Sequence, residues 1–346
     1  MQTLFPQGRL TQMTATYDLI CIGAGPTGLA CAIDAKRAGL RPLVIDKGCL
    51  CNSIFHYPAN MVFFTTPELL EIGDIPMTSA GEKPTRVEAL KYYRKTAEHY
   101  RLELRLFEAV DRLEGRDECF VVHTRTTLGA TNSYTSRKIV IASGYYDLPN
   151  LLGVPGEDLP SVSHYYTEPH CFWNEDVVVV GGRNSAAEAA LDLYRNGARV
   201  TLVHRSAELG KTIKYWVRPD IENRIRAGQI RALFETRVTQ IEPDVVSVEG
   251  KHGSTERLPT RQVFVLTGYH PDFTFLRAAG IEIDPRTGKP TLNSQTLESN
   301  VPGIFLAGVV IGGNFPSEIF IENGRFHGKQ IVAALTGRPV PIATAG

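Results

Sequence analysis

The sequence has 346 residues, of which 43% are hydrophobic and 21% are charged, as in a soluble protein long enough for two packed domains. Lysine plus arginine equals aspartate plus glutamate at 37 each, so no overall charge favours a nucleic acid or an anionic membrane as partner. No segment approaches the roughly 18 uninterrupted apolar residues of a membrane span. The six cysteines form no CxxC and have no Cys/His ligand spacing, so we expect a cytoplasmic protein with reduced thiols and no metal site.

Residues 1–16 lack the apolar run of a signal peptide, and we expect them to form a short disordered segment. The first predicted elements follow at residues 18–47, DLICIGAGPTGLACAIDAKRAGLRPLVIDK. This stretch predicts an apolar strand, a glycine-rich turn, an alanine-rich helix and a second strand.

The glycine-rich turn has the spacing of a dinucleotide-binding loop. Gly23, Gly25 and Gly28 form GxGxxG directly after the first strand, and Asp46 ends the second strand. In such a unit the first glycine permits the tight turn, the second lets a pyrophosphate approach the backbone, and the third lets helix and strand pack closely. The helix N-terminus then offers amide donors to the phosphates, and the acid accepts a hydrogen bond from a ribose.

The same pattern returns at residues 176–205, DVVVVGGRNSAAEAALDLYRNGARVTLVHR, without an insertion or deletion. This repeat predicts a second dinucleotide-binding unit. Where the first copy has Asp46, the second has His204 followed by Arg205, so an acid that repels a 2′-phosphate is replaced by cations that attract one. The second unit is therefore predicted to bind NADPH, with the alternative that Arg205 is only a solvated residue at a strand end.

Arg183 stands where the first copy has Gly25. Its side chain would crowd a pyrophosphate unless it turns outward, and the alternative is that it contacts a phosphate. Near the end of the chain, VPGIFLAGVVIGG at residues 301–313 predicts a short buried strand followed by glycines. The next segment, SEIFIENGRFHGKQIVAAL, predicts a helix that begins near Ser317.

Together with the two loops and IVIASGYYDLPN at residues 139–150, this segment resembles the two-domain flavoprotein reductases of the low-molecular-weight thioredoxin reductase type. Within that class, NSIFHYPANMVFFTTPELLEIGDIPM and NFPSEIFIENGRFHGKQI resemble the YpdA-type, bacillithiol-disulfide reductase family. The resemblance covers nearly the whole chain from Tyr17. It implies an α/β fold of two Rossmann-like dinucleotide-binding domains, each of three layers, in a homodimer or tetramer.

The resemblance also implies where the cofactors bind. An FAD-binding domain is expected at residues 17–152 and 271–346, and an NADPH-binding domain at 153–270. Ile319 is expected in the first turn of the last helix, where amides and the helix dipole would stabilise a reduced flavin. The implied FAD residues are Gly23, Gly25, Pro26, Thr27, Gly28, Asp46, Lys47, Asn52, Ser53, Met61, Ala142, Ser143, Gly144, Gly308, Val309 and Ile319. The implied NADPH residues are Gly182, Arg183, Asn184, Ser185, His204 and Arg205.

The redox cysteines of the related families are missing. Thioredoxin reductases carry a CxxC before the second glycine loop, where this chain has only His-Tyr-Tyr-Thr at 164–167. Bacillithiol-disulfide reductases have a cysteine inside the first loop, GGGPCG, where this chain has GAGPTG with Thr27. Cys49 and Cys51 are alternative redox candidates, because glutathione reductase relatives keep a redox pair just after the acid, although a CxC disulfide is strained.

The other cysteines are interpreted as structural, with Cys21 and Cys31 in the core and Cys119 and Cys171 elsewhere in the fold. Proton donors near the flavin ring are sought among the histidines, and the weighed alternative is that each is structural. Aromatic residues could stack on a cofactor ring, but they are more often part of a core. The catalytic candidates are Thr27, Cys49, Cys51, His56 and His164, with His327 as a further histidine, and the aromatic candidates are Trp173, Trp216, Tyr165 and Tyr166.

The predicted activity is hydride transfer from NADPH to FAD, followed by electron transfer to a disulfide-type or other acceptor, either a small molecule or a small protein. One alternative is a thiol-independent NADPH oxidoreductase that acts on ferredoxin, quinone or oxygen. Another is a redox-sensing flavoprotein that binds both nucleotides but turns over slowly.

Overall fold

The computed structural model describes residues 16–315 and 318–337. The predicted disordered segment, except for Thr16, lies outside these ranges, as does the predicted helix start at Ser317. Within the described ranges, no helix is long and apolar enough to cross a membrane.

The helices and strands follow one another in two alternating α/β series. The strands are β1 (Tyr17–Ile22), β2 (Pro42–Ile45), β3 (Glu103–Arg105), β4 (Glu108–Arg116), β5 (Cys119–Thr126), β6 (Thr131–Ile141), β7 (Leu148–Pro149), β8 (Val162–Ser163), β9 (Asp176–Val180), β10 (Arg199–Val203), β11 (Arg231–Leu233), β12 (Arg237–Glu242), β13 (Val245–Glu249), β14 (Thr255–Pro259), β15 (Gln262–Val265), β16 (Tyr269–His270) and β17 (Ile304–Leu306). The α-helices are α1 (Pro26–Arg37), α2 (Asn52–Phe55), α3 (Arg86–His99), α4 (Asn184–Arg195), α5 (Arg218–Arg226), α6 (Phe273–Ala278), α7 (Ile321–Gly324) and α8 (His327–Thr336).

The first sheet has the strand order β3-β2-β1-β6-β5-β4, and β17 also pairs with β6. β1 runs parallel to β2 and β6, whereas β4, β5 and β6 form an antiparallel ribbon. β1 is apolar on both faces, as expected of a parallel strand covered on both sides. Leu19 and Cys21 pack with residues of α1 and α8, and Ile20 and Ile22 pack with residues of the ribbon and α6.

The second sheet has the order β11-β10-β9-β15-β8, with parallel pairings throughout. Val177 and Val179 of β9 face residues of α4 and α5. Val178 and Val180 face the antiparallel sheet β12-β13-β14 on the opposite side. We call the elements around the first sheet the first unit and those around the second sheet the second unit.

The repeat in the sequence corresponds to a repeat in the fold. Each unit has a parallel strand, a glycine turn and a 12-residue helix, α1 in the first unit and α4 in the second. Helices and antiparallel strands cover opposite faces of each parallel sheet, so each unit has three layers. The prediction of an α/β fold with two Rossmann-like units is confirmed.

The prediction of one continuous helix at the end of the chain is wrong. The segment forms two helices, α7 and α8, separated by Arg325 and Phe326. Ile319 lies before α7, because Phe320 has extended backbone angles (φ −122°, ψ −177°) and the helix begins only at Ile321. Ile319 is thus not in a first helical turn, and the four-residue α7 is too short to support the helix-dipole argument made for it.

Candidate functional site

The C-terminal ends of parallel strands of both units open into one continuous cavity of about 1710 Å³. Ligands of open parallel sheets bind at this edge, where the strand order reverses. Both glycine loops line the cavity, so the fold brings together the two sets of residues that the sequence analysis selected. The predicted residues in its walls are Gly23, Gly25, Pro26, Thr27, Asp46, Asn52, Ser53, Met61, Ala142, Ser143, Gly144, Gly308, Val309, Ile319, Gly182, Arg183, Asn184, Ser185, His204 and Arg205.

The first glycine loop is shaped as its spacing predicts. Gly23 has φ +113°, and a Cβ there would lie 2.4 Å from the carbonyl oxygen of Ala142. A Cβ on Gly28 would lie 1.9 Å from the carbonyl oxygen of Gly23, so Gly28 packs behind the turn and does not line the cavity. A Cβ on Gly25, by contrast, would meet no atom within 4 Å. The backbone at Gly25 is therefore open to a phosphate, and the loop fits the dinucleotide predicted for it.

Asp46 holds the loop as well as lining the cavity. Its Oδ2 accepts a hydrogen bond from the amide of Ala24 at 2.7 Å, and its Oδ1 accepts one from the amide of Gly48 at 2.8 Å. Burial raises the pKa of Asp46, and the two amides act in the opposite direction. Lys47 does not line the cavity, and its Nζ pairs with Oδ2 of Asp147, a residue of the cavity wall, at 3.0 Å.

Thr27 lies where the first loop meets the C-terminal segment. A Cβ on Gly308 or on Gly324 would lie 3.0 Å from its Oγ1, so two glycines make room for this side chain. Thr27 is half-buried and still lines the cavity. Its side chain is a hydroxyl, which cannot act as a thiolate nucleophile.

The second glycine loop repeats the turn of the first, and His204 stands in the place of Asp46. Gly181 has φ +147°, and a Cβ there would lie 2.5 Å from the carbonyl oxygen of Leu266. The imidazole of His204 packs against Gly182, where a Cβ would lie 2.4 Å from its Cε1. Burial, followed by the nearby charge of Arg205, lowers the pKa of His204. The permanent positive charge at this strand end therefore comes from Arg205.

Arg183 precedes α4 and lines the cavity. A Cβ on Gly210 would lie 3.1 Å from its Cγ, so the stem of the side chain lies against the segment that follows β10. That segment is held to the loop by the amide of Gly210, which donates to the carbonyl oxygen of Gly182 at 2.7 Å.

The interpretation of Cys21 and Cys31 as core residues is confirmed, since they are 0% and 1% exposed. Burial raises the pKa of Cys21 to about 12 and holds the pKa of Cys31 well above its ordinary value. Neither thiol is available as a nucleophile at neutral pH. Cys119 and Cys171 are exposed free thiols, and their interpretation as structural residues stays a prediction.

Cys49 and Cys51 follow Asp46 but are free thiols. Cys51 lines the cavity, yet it is only 1% exposed and packs in an apolar cluster with Leu29 and Tyr93. Burial raises the pKa of both thiols, and the charge of Asp46 raises them further. The environment of this pair opposes thiolate formation.

The three candidate histidines do not belong to the part of the cavity wall that the structure describes. Nδ1 of His56 lies 2.8 Å from the carbonyl oxygen of Asn52, on the exposed side of α2. Nε2 of His164 lies 3.6 Å from Oε1 of Glu157. Nδ1 of His327 accepts from the amide of Gly308. The described residues also contain no group of three or more His, Cys, Asp and Glu side chains placed to hold a metal ion.

The aromatic candidates divide into two groups. Tyr166 is buried and Trp216 is 44% exposed, and both line the cavity. Trp173 is 72% exposed and lies outside the described cavity wall, so the expectation that it belongs to a core is wrong. Tyr165 lies in a cluster of rings and stacks on Tyr269 at 5.4 Å between centroids.

Of this tyrosine cluster, only Tyr165 was a candidate from the sequence. Its rings come from separate segments and meet where the two units join, near the antiparallel pair β7 and β16. Tyr146 contacts three of the other rings at centroid distances of 4.5 to 5.3 Å. No local sequence pattern predicts such a contact, because the contact depends on how the two units are joined. Its members are Tyr57, Tyr145, Tyr146, Tyr165 and Tyr269.

Known proteins share this architecture. The family model for pyridine nucleotide-disulphide oxidoreductases matches residues 20–308. The bacilliredoxin reductase Bdr of Bacillus subtilis (strain 168) is 44% identical over 320 residues, which cover 92% of this chain and 97% of that protein. The solved structure of the bacillithiol disulfide reductase Bdr (YpdA) from Bacillus cereus has a TM-score of 0.91 and 41% identity, covering 94% of this chain and 100% of that chain. The corresponding structure from Staphylococcus aureus has a TM-score of 0.88 and 38% identity, covering 94% and 99%.

These matches extend over nearly the whole chain and include both glycine loops. They confirm the resemblance that the long segments around residues 52–77 and 314–331 indicated. The protein is an FAD-dependent pyridine nucleotide oxidoreductase whose cofactors are FAD and NADPH. The chain belongs to the pyridine nucleotide-disulphide oxidoreductase family, within its YpdA-type branch.

Proposed function

We propose that the protein passes electrons from NADPH through FAD to a low-molecular-weight disulfide of the bacillithiol type. The observation that carries this proposal is the continuous cavity between the two glycine loops, in a chain 44% identical to a bacilliredoxin reductase. FAD supplies the two-electron chemistry when bound, and the protein positions and tunes it.

The first unit is proposed to hold FAD, and the second to hold NADPH. The open backbone at Gly25 and the start of α1 would receive the FAD pyrophosphate, while Asp46 would accept from a ribose hydroxyl. Arg205 would contact the 2′-phosphate of NADPH. The proposed domain limits, 17–152 with 271–346 and 153–270, are supported by the strands β7 and β16, which pair directly beside both boundaries.

The absence of a thiol in the first loop and the raised pKa values of the buried thiols favour a second candidate function. Thr27 occupies the loop position, and burial raises the pKa of Cys21, Cys31, Cys49 and Cys51. A disulfide acceptor would then receive electrons without a mixed disulfide to the first loop. This observation favours a thiol-independent acceptor such as a quinone, a ferredoxin or oxygen, while very slow turnover with every acceptor would indicate a redox sensor.

The decisive experiment separates the two half-reactions. Anaerobic stopped-flow absorbance would follow flavin reduction by NADPH, and the reduced protein would then be mixed with bacillithiol disulfide, glutathione disulfide, a benzoquinone, ferredoxin or oxygen. The proposal expects fast flavin reduction and reoxidation that is fastest with bacillithiol disulfide. Reoxidation that is faster with quinone, ferredoxin or oxygen would establish the second candidate instead.

We also propose a homo-oligomer, a dimer or tetramer, on the basis of the family relationship. Light scattering coupled to size-exclusion chromatography would show a mass of two or four chains of 38.2 kDa. A mass of one chain would contradict this proposal without bearing on the acceptor.

A further inference from the structure

One contact between the two units across the cavity involves the indole ring of Trp216. Nζ of Lys83, in the loop before α3 of the first unit, lies 4.4 Å from the centroid of Trp216 in the second unit. Nζ of Lys214 lies 5.8 Å from the same centroid. Lys83, Lys214 and Trp216 all line the cavity. Two cations from different units therefore converge on one ring.

Only one of these cations is neutralised by the protein. Lys214 pairs with Oε1 of Glu188 at 2.6 Å. Lys83 is half-buried, and in the described parts of the chain it has no hydrogen bond or ion pair, only the indole face. A cation that is partly removed from water and has no counter-ion is stabilised by an anion in the cavity.

The position of the pair indicates which anion this is. The side chain of Asn184, the first residue of α4, accepts from the amide of Lys214 at 2.9 Å and donates to the carbonyl oxygen of Thr212 at 3.0 Å. The Lys214–Trp216 segment is thus tied to the start of the helix that follows the second glycine loop. A dinucleotide pyrophosphate binds at that end of such a helix.

We propose that Lys83, a residue of the first unit, binds the pyrophosphate of the pyridine nucleotide in the second unit. The nucleotide then joins the two units through charge, and its site is incomplete without the first unit. The inference rests on the proposed placement of NADPH at the second glycine loop, and it does not depend on the acceptor. Because NADP⁺ and NAD⁺ share the pyrophosphate, Lys83 contributes equally to both, unlike a residue that contacts the 2′-phosphate.

The test is isothermal titration calorimetry of the FAD-loaded protein with NADP⁺ and with NAD⁺. Lys83→Gln should raise the Kd of both nucleotides by the same factor, about tenfold or more, as for loss of a charge-assisted contact. Lys83→Arg retains the charge and should keep both Kd values close to wild type. Lys91→Gln is the matched control, because Lys91 is an exposed lysine on α3 of the same unit and does not line the cavity. The FAD content of all three variants should be unchanged.

Other results would overturn the inference. Equal Kd values in Lys83→Gln and Lys91→Gln would show that Lys83 binds no phosphate, and weaker NADP⁺ binding with unchanged NAD⁺ binding would assign it to the 2′-phosphate. Unchanged nucleotide binding with a raised KM for the acceptor would assign the anion to the acceptor. Arg205→Ala, measured in parallel, tests the placement of NADPH separately from the role of Lys83. If Arg205→Ala weakens NADP⁺ binding alone while Lys83→Gln weakens the binding of neither nucleotide, only the inference about Lys83 is wrong. If Arg205→Ala weakens the binding of neither nucleotide, the proposed placement of NADPH is wrong, and so is the inference that rests on it.

Discussion

The amide of Gly308 donates a hydrogen bond to Nδ1 of His327 over 3.0 Å. This bond joins the turn after β17 to the first residue of α8. Because Nδ1 accepts a hydrogen bond from the amide, the neutral form of the imidazole is favoured, and burial lowers the pKa of His327 to about 4. This arrangement favours the structural alternative for His327 over that of a proton donor near the flavin.

The neutral imidazole predicts that acid destabilises the protein. The folded-state pKa of His327, about 4, lies below the ordinary value of 6.5. Between these values the unfolded chain binds a proton that the folded protein does not bind, so stability is fully present above about pH 6.5 and is lost as the pH falls towards 4. At pH 5 the loss from this group is about 2 kcal/mol.

His327→Asn tests this prediction, because it keeps a side-chain acceptor and removes the titrating group. The thermal unfolding midpoint of wild type should fall further between pH 7.5 and pH 5 than that of the variant. Parallel decreases in the two proteins would assign the acid sensitivity to other groups.

The next prediction uses two glycines of the same loop that differ in their surroundings. A Cβ on Gly28 would lie 1.9 Å from a backbone oxygen, whereas a Cβ on Gly25 would meet no atom within 4 Å. Gly28→Ala should therefore distort the loop and lower the thermal midpoint of the FAD-free protein. Gly25→Ala should leave that midpoint unchanged and weaken FAD binding, because its methyl group would occupy the approach of the pyrophosphate.

The measurement is calorimetric unfolding of both apoproteins, with fluorescence titration of FAD. If Gly25→Ala binds FAD with the affinity of wild type, the pyrophosphate does not approach the backbone at this residue. The first glycine loop would then require another ligand arrangement.

The two units were predictable from sequence because their signals are local. The spacing of Gly23, Gly25 and Gly28 within a strand, turn and helix determines the loop, and the second copy repeats it without an insertion. The last helix was predicted too long, since its apolar periodicity continues through Arg325 and Phe326 while the backbone does not. The Lys83–Trp216 contact could not be predicted, because it joins residues 133 positions apart in different units.

The third prediction concerns nucleotide choice. Arg205→Ala should lower kcat/KM for NADPH by about tenfold to a hundredfold and change kcat/KM for NADH little, because a charge-assisted contact contributes roughly 1.5–3 kcal/mol. His204 should contribute less, since burial lowers its pKa and leaves it neutral at pH 7.5 before a phosphate binds. Steady-state kinetics with both nucleotides provides the measurement.

Arg226→Ala is the matched control for this prediction, because Arg226 is an exposed arginine of α5 in the same unit and does not line the cavity. Equal losses with NADPH and NADH in Arg205→Ala would show that Arg205 does not contact the 2′-phosphate.

The last prediction concerns Thr27, the second residue of α1, whose side chain lies between Gly308 and Gly324 and lines the cavity. Thr27→Cys should fit this space and produce a thiol with a lowered pKa, because the start of a 12-residue helix favours a thiolate. Peptide mass spectrometry after alkylation at pH 6 should find this thiol labelled before Cys49 and Cys51, whose pKa values are raised by burial. Thr27→Ser is the control without a thiol.

If a loop thiolate is essential for disulfide reduction, wild type should reduce flavin with NADPH normally but reduce low-molecular-weight disulfides slowly, since it cannot form a mixed disulfide at this position. Thr27→Cys should accelerate disulfide reduction and leave flavin reduction by NADPH unchanged, and Thr27→Ser should accelerate neither. If wild type already reduces disulfides at ordinary enzymatic rates, replacement of both Cys49 and Cys51 by Ser should abolish that activity. Activity that survives this double replacement would mean that electrons reach the disulfide directly from the flavin or through another cysteine. The lack of a thiol at Thr27 would then not limit disulfide reduction.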